Sequence, residues 1–88
     1  MRADDKRGRI LIGADYAGLQ ISMKRTRALT ELIINGNVYD EIKGSIETDY
    51  SLTGIVQNIT IVGTFDAARA HMYLYADGAL IAKKLRLY

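Results

Sequence analysis

Apolar and polar residues alternate strictly in two stretches of the chain. Leu19, Ile21 and Met23 interleave with Gln20, Ser22 and Lys24, and Ile46, Thr48, Tyr50 and Leu52 interleave with Glu47, Asp49, Ser51 and Thr53. Period two is the pattern of a strand with one buried face, because successive side chains point to opposite sides of a sheet. Elsewhere apolar residues occupy successive positions: Ile10-Leu11-Ile12, Leu32-Ile33-Ile34, Ile61-Val62 and Met72-Tyr73-Leu74-Tyr75. Three turn signals, Asn35-Gly36, Gln57-Asn58 and Asp77-Gly78, separate these segments. Asn-Gly and Asp-Gly tolerate the positive φ angles of a two-residue type I′ turn, whose twist matches that of paired strands. The elements expected are a strand pair at 9–13 and 18–26 joined through Gly13, Asp15 and Gly18, and hairpins at 28–43 and 70–87. A strand from 46 onward pairs with 59–65 across Gln57-Asn58.

The expected fold is therefore all-β, an antiparallel meander of about 6–8 short strands forming a small sandwich or barrel. The alternative is α+β with one short helix at 27–34 or 79–87. Ala28, Leu29, Leu32 and Ile33 also fit a helical spacing with Gly36 as C-terminal cap, and Asp77 could start a helix at 79–87. The β-branched Ile33-Ile34 pair and the Tyr73-Leu74-Tyr75 run argue for a pleated surface instead. Ile34-Asn35-Gly36-Asn37-Val38 and Ala76-Asp77-Gly78-Ala79-Leu80 share a loose pattern, which is read as hairpin chemistry rather than duplication. Residues 1–88 are read as a single β-rich domain with 1–8 as a mobile tail.

Composition narrows the function classes. With 49% apolar and 25% charged residues, the chain has an ordinary globular make-up. Cysteine is absent, which excludes disulfides, thiolate metal sites and thiol catalysis. No apolar run suits a membrane-spanning helix or a signal peptide, so no membrane association and a cytoplasmic location are expected. Net charge is only +2, but its distribution is uneven. Basic residues gather at 2–9, 24–27 and 83–86, while Glu31, Asp40, Glu41, Glu47 and Asp49 face a single Lys43 in the middle. Such asymmetry can draw a polyanion, or can let one copy's basic region meet another copy's acidic one.

Little in the chain points to catalysis. His71 is the only histidine, so neither a histidine metal cluster nor a Ser-His-Asp set is indicated. Asp40 and Glu41 fall on opposite strand faces, and Glu47 and Asp49 on one face, all read as solvated charges. No catalytic residue, metal ligand or cofactor is expected, and the chain is read as not an enzyme; an active site shared between subunits and using His71, Asp66 or Arg69 is the remaining enzymatic option. The stretch Ile12-Gly13-Ala14-Asp15-Tyr16-Ala17-Gly18 resembles the opening strand and loop of type B ribose-5-phosphate isomerases, which implies an α/β fold. Tyr16 stands where that motif has histidine, no cysteine is present to act as base, and the resemblance covers seven residues of 88. Gly13 and Gly18 are read as permitting a tight turn between two strands.

The best candidate surface is aromatic and basic. His71, Tyr73 and Tyr75 alternate along one strand face, and Lys83 and Arg86 come near across the Asp77-Gly78 hairpin. Strands that are apolar at successive positions put apolar side chains on both sheet faces, and so short a chain has few residues left to build covering helices. Another copy is the natural cover, with Ile33, Val62, Tyr73 and Tyr75 as interface residues. The expectation is a non-enzymatic β-module acting through self-assembly, first as a dimer, or through docking on a protein partner. The alternative is a small-ligand or nucleic-acid binding domain using the aromatic and basic face, with nucleic acid the lesser option because the middle of the chain is acidic.

Overall fold

Eight antiparallel strands run in chain order: β1 (Arg9–Tyr16), β2 (Leu19–Arg25), β3 (Leu29–Ile34), β4 (Asn37–Lys43), β5 (Tyr50–Val56), β6 (Ile59–Asp66), β7 (His71–Ala76) and β8 (Ala79–Lys84). The computed structural model describes residues 8–26, 29–43 and 48–85. The strands form two four-stranded meanders, β1-β2-β3-β4 and β5-β6-β7-β8, packed as a sandwich. The all-β meander expected from the turn signals is what the chain adopts. No helix occurs among the described residues, so both helical alternatives fail: 29–34 is β3 and 79–84 is β8. Most of the expected tail at 1–8 lies outside the described residues.

Two boundaries differ from the sequence reading. β1 runs through Gly13 and Asp15 to Tyr16, and the turn is only Ala17-Gly18, because Ala17 itself takes φ +52°. Strand β5 begins at Tyr50, with Thr48 and Asp49 outside it; Ile46 and Glu47, the expected start of that strand, lie outside the described residues. The Asp49 carboxylate instead accepts a hydrogen bond from the Ala67 N–H at 2.7 Å, which ties this entry segment to the β6–β7 loop.

Four of the six hairpins turn in two residues with positive φ at both: 17–18, 35–36, 57–58 and 77–78. This is the type I′ signature. Inner faces interlock in one core. Leu19, Ile21 and Met23 of β2 and Leu32 and Ile34 of β3 meet Leu52 of β5, Ile61 and Phe65 of β6, and Met72, Leu74 and Ala76 of β7. The central strands supply most of it, since they have neighbours on both sides.

β-Bulges sit on three of the four edge strands. Register slips between Ile10 and Ile12, between Leu32 and Ile33, and between Leu74 and Tyr75, leaving Leu11, Tyr39 and Ile81 as the extra residues. An extra residue kinks its strand and re-aims its side chain. Leu11 and Ile12 are thereby both buried, and Tyr39 reaches the neighbouring sheet, where a Cβ on Gly54 of β5 would stand 2.8 Å from the Tyr39 Cβ. Beside it the Asp40 carboxylate of β4 accepts a hydrogen bond from the Thr53 N–H of β5 at 3.0 Å. The β4–β5 corner is closed by side chains where no backbone ladder runs.

The likeness between the two outer hairpins reaches beyond turn chemistry. Ile21 pairs with Ile34 and Met23 with Leu32 in the first sheet; Ile61 pairs with Ala76 and Gly63 with Leu74 in the second. After the bulges, Ile33 pairs with Val38 and Tyr75 with Leu80. Asn35 accepts from the Gln20 N–H through Oδ1 at 2.9 Å and donates its own N–H to the Gln20 carbonyl at 2.8 Å; Asp77 does the same with Thr60, at 2.9 and 2.8 Å. β2–β4 and β6–β8 thus repeat one another in register, bulge and turn bonding, whereas the β1 bulge has no counterpart in β5.

Candidate functional site

Strand β7 alternates cleanly. Met72, Leu74 and Ala76 point into the core, which leaves His71, Tyr73 and Tyr75 on the outer face of the second sheet. The three rings form a row. His71 and Tyr73 lie edge to face with centroids 6.2 Å apart and His71 Nδ1 3.2 Å from the Tyr73 hydroxyl, and Tyr75 follows at 6.4 Å from Tyr73. Register places Thr64 and Lys83 on either side of Tyr73, and Val62 and Leu80 on either side of Tyr75. The expected binding residues His71, Tyr73, Tyr75 and Lys83 are thus brought together, with Val62 among them. Arg86 lies outside the described residues.

Ile33 does not join them. It sits on the outer face of the first sheet, beside Ser22 and Val38, on the opposite side of the sandwich from Tyr75. The expected interface set is therefore divided between two surfaces. Two members of the second-sheet surface were not singled out from the sequence: Leu80, 49% exposed, and Ile55, 64% exposed. Alternation puts Ile55 on the same side as Thr53, opposite Val62, and was the signal available for it. Leu80 stands across from Tyr75 because the two-residue Asp77-Gly78 turn sets Ala79 against Ala76 and Leu80 against Tyr75; the β8 bulge follows and puts Lys83 rather than Ala82 across from Tyr73.

The first-sheet outer face differs in chemistry. Its exposed apolar residues are Ile10 and Val38, with half-buried Ile33 between the strands. Glu31 of β3 stands directly across from Glu41 of β4 and from Lys24 of β2. A shallow depression of about 690 Å³ runs along this face, with Gly13, Asp15, Ser22, Lys24 and Ile33 in its lining.

Compared with known proteins, the chain matches no family model, no curated protein and no solved structure.

Polar groups elsewhere serve the fold. Asp66 stands opposite His71, accepts from the Ala68 N–H at 3.1 Å and forms an ion pair with Arg69 at 3.1 Å on the exposed β6–β7 loop. Asp66 thus has His71 across from it on β7 and Arg69 as its ion-pair partner. Among the described residues no group of three or more His, Cys, Asp or Glu side chains could hold a metal ion. At the same end of the sandwich, Tyr50 stacks on Phe65 with centroids 5.3 Å apart. Burial pushes the Tyr50 phenol above its ordinary value of 10.0, opposed by its hydrogen bond with buried Thr30 and by the Arg25 charge. Among the described residues no helix is long and apolar enough to cross a membrane.

Proposed function

We propose that this chain is a non-enzymatic β-module that works by associating through the outer faces of its sheets, with further copies of itself before any other protein. The observation that carries the reading is the apolar content of those faces: Ile55, Val62, Tyr75 and Leu80 on the second sheet, and Ile10, Ile33 and Val38 on the first. Burying an Ile- or Leu-sized side chain is worth roughly 1.5–3 kcal/mol relative to exposure, so a partner that covers several of them gains enough to offset the entropy of association. A cytoplasmic location belongs to the same reading and rests on the sequence alone.

Sedimentation equilibrium of the purified protein across a concentration series tests this. Masses above the 9.8 kDa of one chain, with an absorbance ratio free of nucleic acid, are expected. A single chain at every concentration up to the millimolar range would sink the reading.

A second reading is favoured by one observation, the row of His71, Tyr73 and Tyr75 with Lys83 beside Tyr73. Aromatic platforms with a neighbouring cation bind single-stranded nucleic acid, at roughly 1–3 kcal/mol per stacked base. Titration of a fluorescein-labelled oligothymidine checks it: saturable binding that weakens with salt and is lost in Tyr73→Ala would favour this reading over self-association.

A further inference from the structure

The two outer faces occupy equivalent places in the repeat but carry different side chains. Where the first sheet has Ile33 beside Val38, the second has Tyr75 beside Leu80, so each presents an apolar pair in the same position. One row further along, the first sheet has Glu31 beside Glu41 and the second has Tyr73 beside Lys83. The apolar rows occupy equivalent places, and the flanking rows carry opposite charges, Glu31 and Glu41 against Lys83.

Glu31 and Glu41 are like charges directly across from one another on neighbouring strands. Like charges directly opposite one another across a ladder are destabilising. Lys24, which stands across from Glu31, is on the far side of it from Glu41. Lys43 follows Glu41 on the same side of β4, and a cation from a second copy would add to it. On the second-sheet face Lys83 is exposed, beside an aromatic row. A two-fold pairing of like faces about an axis parallel to the strands would set Glu41 near a second acidic row, or Lys83 near a second Lys83. A pairing of unlike faces sets opposite charges together.

Resting on the self-association reading, we propose that the outer face of the first sheet of one copy docks on the outer face of the second sheet of the next. The contact is heterologous. Because the two faces lie on opposite sides of the sandwich, a pair of copies retains one free face of each kind, and the association continues as an open column rather than closing at a dimer. With sheets stacked about 10 Å apart, the column repeats about every 20 Å.

Blocking one face at a time separates this arrangement from the two-fold one. Val38→Lys adds a cation to the first-sheet face, against the partner's Lys83; Leu80→Glu adds an acid to the second-sheet face, against Glu31 and Glu41. Both positions are about half exposed, at 50% and 49%, so both variants are expected to keep the native far-ultraviolet circular dichroism spectrum and thermal transition. Each variant alone is expected to lose at least about tenfold in association and to sediment as a single chain at concentrations where the unmodified protein grows without a plateau. Mixed in equal amounts, they are expected to form a species of two chains and no larger, because each supplies the face the other lacks. A variant that still dimerises alone, with no new species on mixing, overturns the heterologous contact while leaving self-association standing. An unmodified protein that stays a single chain at every concentration overturns self-association itself, and the heterologous contact with it.

Discussion

At the scale of single residues, the strain in this molecule lies in its turns. Ala17 and Gln57 hold the first position of type I′ turns at φ +52° and +53°. An ordinary side chain is penalised there and Asn or Gly is not. Gln57→Asn is expected to stabilise the protein by about 0.5–1 kcal/mol and to raise Tm by about 3–6 °C. Thermal unfolding followed by circular dichroism checks this, and an unchanged or lower Tm would show that the turn is already relaxed. Tyr50 supplies the clearest pH effect. Its folded-state pKa is raised by burial, so its contribution to stability is fully present below the unfolded value of 10.0 and is lost as pH rises through the higher folded value. In that alkaline range the unfolded chain releases a proton that the folded chain still holds, and stability falls. Tyr50→Phe is expected to remove this part of the slope above about pH 10, while costing about 1 kcal/mol at neutral pH because buried Thr30 loses its partner. Urea midpoints measured along the pH series distinguish the two effects.

At the scale of elements, the repeat predicts equal roles for residues of different type. Asn35 and Asp77 each extend a hairpin turn into a bond with the neighbouring strand, to Gln20 and Thr60. Asn35→Ala and Asp77→Ala each remove an acceptor and leave alanine at positive φ, and each is expected to cost about 1–2 kcal/mol. Urea unfolding should give losses within error of each other, and a large difference would mean that the shared geometry is not shared energetics. Most of this level was legible in the sequence. Asn35-Gly36 and Asp77-Gly78 announced their hairpins by turn chemistry, and Leu19, Ile21 and Met23 announced the inner face of β2 by alternation. The bulges were not legible, because Tyr39 and Ile81 look like any strand residue until the partner strand fixes what faces what. For the same reason the pairing of Lys83 with Tyr73 was hidden behind the β8 bulge, whereas Tyr73 and Tyr75 share a face by alternation and Leu80 meets Tyr75 through the two-residue turn itself.

At the scale of the whole molecule, the repeats meet at positions that cannot both be large. Met23 and Gly63 are equivalent in register, and a Cβ on Gly63 would land on the Met23 sulfur. One long side chain lies over a site with none. Gly63→Ala is expected to cost about 1–3 kcal/mol by overpacking and Met23→Ala about 2–5 kcal/mol by the space it leaves. The double variant is expected to lose less than the two together, since the added methyl enters part of the vacated volume. A double-mutant cycle in urea measures this, and additivity within about 0.5 kcal/mol would contradict the contact. Such pairs also explain why the repeat was hidden: Met23 answers to Gly63, Glu31 to Tyr73 and Glu41 to Lys83, so equivalent places carry unrelated chemistry. By itself the sequence determined the local terms, namely where most of the turns fall, which segments are strands and which side of β2 is apolar, because these depend on backbone preference and on a period of two residues. The tertiary structure alone decided that the strands divide into two equivalent sheets, that bulged Tyr39 and the Asp40 carboxylate close the β4–β5 corner, and that Ile33 and Tyr75 look out from opposite sides. Those outcomes depend on register between strands and on which faces meet, and a shift of one residue in an edge strand redirects every side chain beyond it.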